Sequence, residues 1–342
     1  MKSTIFSNEK SKFEAYILLI ITAFIWGGTW PLGRWMVSEE VGGETIPPLM
    51  IVVIRYFLAI VCFLILLKYK EGSLKIKFAL RNWKYLLFMG LTSVTIYQIG
   101  YLIGEIFTSA SDASILIVTN AVWVVILSGI FIETEKITLK KLIGTFLAFI
   151  AVILVVGFSP NVEVLNRILG DILILMGAFA YATYTVTSRF FMNKTKKESN
   201  SYQPSSLWLI TWISVFGFII TTPIALMINP EYINPIQFFM IPNRLWLGIL
   251  YLAFISTVGG YTFYLEGVKR LDASRAAIFQ TLVPLIGVLF SAIFLGEQFG
   301  IFIYPFALLC VCVGIILVNY KSTQDGINSP TNIKKQNQEE IR

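Results

Sequence analysis

Ten stretches of the chain are apolar on nearly every helical face, and short polar segments separate them. They fall at 15–37, 48–67, 85–107, 113–132, 139–158, 170–191, 206–228, 245–267, 276–295 and 301–319. About 20 consecutive apolar residues suffice for a helix to cross hydrocarbon. Membrane strands would instead show short alternating segments. The pattern therefore predicts an all-α polytopic membrane protein with ten transmembrane helices. The first stretch is too long for a signal peptide, and Pro31 and Arg34 follow where a cleavage motif would stand, so it reads as a retained helix.

The polar segments alternate in charge. Lys68, Lys70, Lys75, Lys77, Arg81 and Lys84 crowd the segment after the second stretch. The segment after the first holds Glu39, Glu40 and Glu44 and no basic residue. Followed along the chain, 23 of the 27 Lys and Arg fall on one side of the membrane. Short basic loops stay cytoplasmic. The count predicts an even number of helices in the plasma membrane with both termini cytoplasmic.

The chain also repeats itself. Phe24, Trp26 and Arg34 align with Phe179, Tyr181 and Arg189. Asp112-Ala113-Ser114 aligns with Asp272-Ala273-Ser274, and Ile153-Leu154-Val155 with Ile316-Leu317-Val318. Helices 1–5 thus read as one unit, 15–158, and helices 6–10 as a second, 170–319. A linker at 159–169 joins them, and polar tails at 1–14 and 320–342 flank them. An odd number of helices per unit inverts the second copy, a pattern of secondary transporters.

Composition narrows the function. The chain is 56% hydrophobic and 14% charged, against about 25% charged in soluble domains. The net charge of +7 is an orientation signal and not a nucleic-acid patch. Cys62, Cys310 and Cys312 form no disulfide framework or zinc spacing and read as packing residues. No histidine and no Walker motif is present, so no metal, cofactor or ATP chemistry is expected.

Several of these segments resemble a known family. Leu271-Asp272-Ala273-Ser274-Arg275-Ala276-Ala277, Val283-Pro284 and Phe294-Leu295-Gly296-Glu297 are similar to the second repeat of EamA-type permeases, of the drug/metabolite transporter superfamily. Phe24-Ile25-Trp26-Gly27 and Arg55-Tyr56-Phe57 resemble the first repeat. The first copy departs at Trp123-Val124, which stands where the second has Val283-Pro284, and at Glu133-Thr134-Glu135 in place of Gly296-Glu297. The resemblance covers about residues 15–320 and implies a ten-helix carrier with a central cavity lined by helices 1, 3, 4, 6, 8 and 9.

Candidate site residues follow from polar and aromatic side chains inside apolar helices. Trp26, Trp30 and Arg34 share one helical face, as do Tyr97, Tyr101 and Glu105. Tyr181 and Arg189 share a face, and Tyr261 and Tyr264 lie in helix 8. Aromatics with a polar tip suit a cavity for amphipathic solutes, but they also populate membrane interfaces. Arg34 and Arg189 either meet a substrate carboxylate or snorkel to the interface. Arg55 lies deeper, and a structural ion pair with Glu39, Glu40 or Glu44 is favoured over substrate contact as its role. Asn120 and Gln280 either contact substrate or join helices. Pro31 and Pro284 are candidate hinges, and Glu105 and Glu266 candidate coupling carboxylates.

The reading that results is a secondary transporter of small organic metabolites, amino acids or related amphipathic solutes first, working by alternating access with export favoured. No catalytic residue is assigned. An integral membrane enzyme of lipid metabolism, or a non-transporting scaffold or sensor, is the alternative. The expected partners are a small-molecule substrate and the lipid bilayer, with homodimer formation left open.

Overall fold

Hydrocarbon offers the backbone no hydrogen bonds, so a long apolar run must satisfy its own N–H and C=O groups. Helix is the local solution, and the described residues of the apolar runs adopt it. The structure is a computed structural model describing residues 2–43, 45–131, 139–158, 167–197, 202–270, 279, 282–298, 300 and 302–319. Among these there is no strand. Seven helical spans are long and apolar enough to cross a membrane. They are α1 (Phe13–Val37), α2 (Pro48–Glu71), α3 (Trp83–Phe107), α4 (Ala110–Phe131), α6 (Arg167–Lys197), α7 (Ser206–Ile228) and α8 (Asn243–Gly267). Between them α5 (Leu139–Phe158) is a helix of 20 residues. Two shorter apolar helices follow, α9 (Leu282–Leu295) and α10 (Ile303–Asn319).

These limits differ from the apolar stretches in places. The second continues to Glu71 and the sixth to Lys197, because Lys and Arg prolong a helix beyond hydrocarbon at no helical cost. The ninth is described only from Leu282, and 276–278, 280 and 281 lie outside the described residues.

The partition of side chains is that of a lipid-embedded body. On α2 the exposed stripe is Phe57, Val61, Ile65 and Tyr69, and on α1 it is Phe13, Ile17, Ile21 and Phe24. Inside are Arg34, Arg55, Glu105 and Asp112. An apolar exterior around buried charges is stable in lipid and unstable in water.

The helices pair in a regular scheme. α1 packs on α8 and α9, and α6 packs on α3 and α4. α2 meets α7 and α8, and α7 meets α2 and α3. α4 lies against α9 and α5 runs along α10. Each pairing maps onto another, or onto itself, when α1–α5 are exchanged with α6–α10. α3 approaches α6 closely, and a Cβ on Gly100 would sit 2.6 Å from the Leu173 carbonyl oxygen.

Three departures from regular helix shape the interior. α1 breaks at Gly28, because Pro31 has no N–H to give Gly27 and its ring crowds that carbonyl. π-helical turns occupy Leu91–Ile96 and Ile99–Ile103 in α3. A third π stretch, Tyr251–Gly259 in α8, starts 160 residues after the first. Such turns are rare and concentrate at functional positions.

Candidate functional site

Aromatic side chains from α1, α3, α6 and α8 meet in the middle of the bundle. Tyr101 packs edge-on against Trp30 with ring centroids 4.9 Å apart, and Tyr97 stacks beside Tyr101 at 6.4 Å. Tyr97 meets Tyr181 at 5.1 Å, and Tyr181 meets Tyr184 at 5.3 Å. Tyr181 and Tyr261 share a side-chain hydrogen bond. Trp26 then lies 5.5 Å from Tyr261 and 5.4 Å from Tyr264. Seven candidates from the sequence, Trp26, Trp30, Tyr97, Tyr101, Tyr181, Tyr261 and Tyr264, therefore form one continuous chain of rings. Trp30 and Tyr101 are buried, which places them in the interior and not in an interfacial belt. The other five are half-buried while packed on one another, so each turns part of its ring toward space the protein leaves open.

The broken helix and the π turns supply polar atoms to this region. Tyr101 Oη donates to the Thr29 carbonyl at 2.6 Å, and Tyr251 Oη to that of Ile25 at 3.0 Å. Trp26 Nε1 donates to the Ser256 carbonyl at 3.1 Å. Neighbouring helices thus answer the irregular backbone of α1 and α8, as a membrane interior requires.

Arg55 corrects an expectation. It does not pair with Glu39 or Glu40, and Glu44 lies outside the described residues. Its Nε donates to Thr257 Oγ1 at 2.8 Å, and Nη1 lies 3.5 Å from Gln98 Oε1. The Tyr56 ring is 5.6 Å away, and Gln98 Nε2 donates to Tyr56 Oη at 3.2 Å. The physical reason is depth: two helical turns separate Arg55 from the acidic segment, while α3 and α8 put neutral polar groups beside it.

One end of the bundle is closed by buried ions. Arg34 is 1% exposed and spans several elements. Its Nη1 donates to the carbonyl oxygens of Glu105, at 3.0 Å, and Thr108. Nη2 lies 3.4 Å from Glu40 Oε2, and Nε 3.3 Å from Glu297 Oε1. Glu297 also caps α4. It accepts from the N–H groups of Ala110 and Ser111, both at 2.9 Å, and from Ser111 Oγ at 2.7 Å. A carboxylate at a helix N-terminus is favoured by the unpaired amides and the dipole. Next to it, Arg167 Nε donates to Asp112 Oδ2 at 2.8 Å, and Tyr304 Oη donates to Asp112 Oδ1. Thr108 Oγ1 donates to Asp171 Oδ1 at 2.5 Å and so joins the two clusters. Glu105 is fully buried here, and among the described residues neither carboxyl oxygen has a hydrogen-bond partner. It reaches α1 only because residue 33 is glycine: a Cβ there would collide with Glu105 Oε2 and Tyr101 Oη. Beside this end, Val37, Glu40, Ile46 and Ile106 help line a groove of about 420 Å³.

The remaining candidates scatter. Arg189 is exposed, within electrostatic reach of Tyr264. Glu266 faces Lys70 Nζ at 3.4 Å at the far end of the bundle, so the two candidate coupling carboxylates occupy unlike surroundings. Asn120 is half-buried at a short 3₁₀ turn in α4. Pro31 stands just past the break in α1, and Pro284 near the described start of α9. Gln280 lies outside the described residues. Glu297, Asp112, Arg167 and Asp171 were not singled out as functional candidates in the sequence. The Ser109 hydroxyl that accepts from the Asp112 N–H was a readable helix start, but nothing local ties it to Glu297. Among the described residues no group of His, Cys, Asp and Glu is placed to hold a metal ion.

Apolar-faced helices around a buried cluster of rings and ions define a polytopic membrane protein. The chain belongs to the EamA-like transporter family, whose model matches residues 13–157 and again 168–320. It is 27% identical over 318 residues to YetK, an uncharacterized transporter of Bacillus subtilis (strain 168), covering 92% of this chain and 89% of the relative. An uncharacterized transporter of Archaeoglobus fulgidus is 27% identical over 287 residues, covering 83% and 90%. A protein of Escherichia coli (strain K12) named "Probable amino-acid metabolite efflux pump" is 24% identical over 283 residues, covering 82% and 87%. A solved crystal structure shares the fold with a TM-score of 0.57 at 12% identity, covering 89% of this chain and 95% of its own.

Proposed function

We propose that this transporter moves small organic metabolites, amino acids or related amphipathic solutes first, by alternating access across the plasma membrane. The observation that carries this reading is the convergence of Trp26, Tyr97, Tyr181 and Tyr261, half-buried rings from four helices, in one connected cluster inside the bundle. Such rings stack on an apolar body and hydrogen-bond its polar groups. Trp30, Arg34, Tyr101, Asn120, Arg189, Tyr264 and Gln280 complete the proposed lining and gates. Pro31 and Pro284 act as hinges, and Glu105 and Glu266 as coupling carboxylates.

The carrier is read as ten transmembrane helices in two inverted repeats, 15–158 and 170–319, with the linker at 159–169 and both polar tails cytoplasmic. Three observations support it: the family model matches twice, the helix pairings exchange between halves, and π turns recur at one offset. On this topology the end closed by Arg34 and Glu297 faces outward. Export follows the efflux pumps among the relatives.

Purified protein in liposomes, given a panel of labelled metabolites, is expected to exchange at least one across the bilayer. No exchange of any member refutes the carrier reading. Cysteines placed at residues 43 and 201 are expected to label from opposite sides, and labelling from the same side refutes the topology.

A further inference from the structure

Among the described residues, the arginines held inside the bundle face carboxylates with one exception. Arg34 has Glu297 and Glu40, and Arg167 has Asp112. Arg55 is 6% exposed, and among the described residues no carboxylate lies within ion-pair distance of it. A guanidinium cannot shed its proton, so the charge stays. Its partners are all neutral. Thr257 gives its own hydroxyl hydrogen to the Leu252 carbonyl at 2.7 Å and meets Arg55 purely as an acceptor. Gln98 contributes a long contact of 3.5 Å to Nη1, and among the described residues Nη2 has no hydrogen-bond partner. An isolated buried cation is costly, and evolution of a plain structural site would place an acid beside it or remove it.

The position of the cation points to an occupant. Thr257 lies one turn before Tyr261 on α8, and Arg55 is within electrostatic reach of Tyr97 and Tyr101 on α3, so the guanidinium adjoins the chain of rings. The Nη1–Nη2 edge is the planar fork that a carboxylate engages bidentately. One cation balances one negative charge, which suits a carboxylate better than a phosphate dianion. We propose that Arg55 anchors the carboxylate of an organic acid whose apolar or aromatic body lies among Trp26, Tyr97, Tyr181 and Tyr261. This rests on the reading of the aromatic cluster as the transport site.

The test pairs acids with their primary amides. Phenylacetate, 4-hydroxyphenylacetate and L-phenylalanine, and the amide of each, are titrated into the purified full-length protein while thermal unfolding and calorimetric binding are followed. Sodium chloride serves as the inorganic-anion arm. At least one acid is expected to bind at least ten-fold more tightly than its amide, and chloride to stabilise far less. Arg55→Gln is expected to erase the preference for acid over amide. Arg55→Lys, which keeps the charge and loses the fork, is expected to retain the preference with about ten-fold weaker binding. The proposal is overturned if acid and amide bind alike, if no acid binds, if chloride matches the acids, or if the preference survives Arg55→Gln. Should Arg55→Gln fail to fold, the acid–amide comparison in the parent and in Arg55→Lys decides. Flux of neutral solutes indifferent to Arg55 would sink this assignment and leave the carrier standing. Acid binding that depends on Arg55 without flux in liposomes would do the reverse.

Discussion

Replacing Glu297 by alanine removes four interactions at once. Two N–H groups at the start of α4 and the Ser111 hydroxyl lose their acceptor, and Arg34 Nε loses its partner at 3.3 Å. Glu40 cannot make up the loss, because it is 47% exposed and screened by water. Breaking a buried pair from one side costs about 3–5 kcal/mol, and losing an N-terminal cap adds about 1 kcal/mol. At about 2 °C or more per kcal/mol, the unfolding midpoint in detergent should fall by on the order of 10 °C. Glu297→Gln should fall less, since its amide oxygen still accepts from one backbone N–H. Arg34→Met combined with Glu297→Gln exchanges the pair for two neutral side chains. The double variant should lose less than the summed single losses by about 1.5 kcal/mol, within the range for coupled residues. Losses that add to within about 0.5 kcal/mol would show that Arg34 and Glu297 act independently. The closed end would then owe its stability to something else.

Four further outcomes are expected. Trp26→Ala and Tyr181→Ala should each weaken solute-induced thermal stabilisation about ten-fold, the effect of removing about 1.4 kcal/mol of ring contact; parent-like binding in both would remove the aromatic cluster as the site. Gly100→Ala, whose Cβ would press on the Leu173 carbonyl at 2.6 Å, should cost about 1–3 kcal/mol by overpacking, measured as a lower unfolding midpoint. Gly72→Ala meets no neighbour within 4 Å, and its cost of about 1 kcal/mol should come from the positive φ of 69° alone. Tyr202, outside the spans, is held neutral by burial and by its 2.7 Å hydrogen bond to Glu71, which raise its phenol above the ordinary 10.0. Its contribution is full below pH 10.0 and fades as pH rises through the raised value. Tyr202→Phe should therefore flatten the alkaline fall of the midpoint, and an unchanged slope would count against this.

What could be read from the sequence was what length and local chemistry encode. An apolar run of about 20 residues specifies a helix because nothing else can satisfy its backbone in lipid. Pro31 marked the break in α1, and its effect reaches back four residues, to Gly27 and Gly28. Rings such as Tyr97 and Tyr181 were found because polar-tipped aromatics inside apolar runs are conspicuous. The charge partners were not legible. Glu297 is 263 residues from Arg34 in the chain, and an all-apolar helix carries little signal of which face meets which neighbour. Arg55 shows the same limit: the sequence offered nearby acids, whereas rotation of α2 turns it to Thr257 and Gln98. The π turns were invisible too, since their residues are ordinary for an α-helix.

The unpaired guanidinium of Arg55 has an electrical consequence. An empty carrier holds a fixed positive charge at this site, and a carrier loaded with a monovalent acid holds none. One full charge moved across the membrane field is worth about 2.3 kcal/mol per 100 mV. With the cell interior negative, voltage draws the empty site toward the cytoplasm and leaves the loaded site indifferent. Each cycle then carries one negative charge outward. If Arg55 anchors such an acid, membrane potential would favour its export, in addition to any gradient that Glu105 and Glu266 couple.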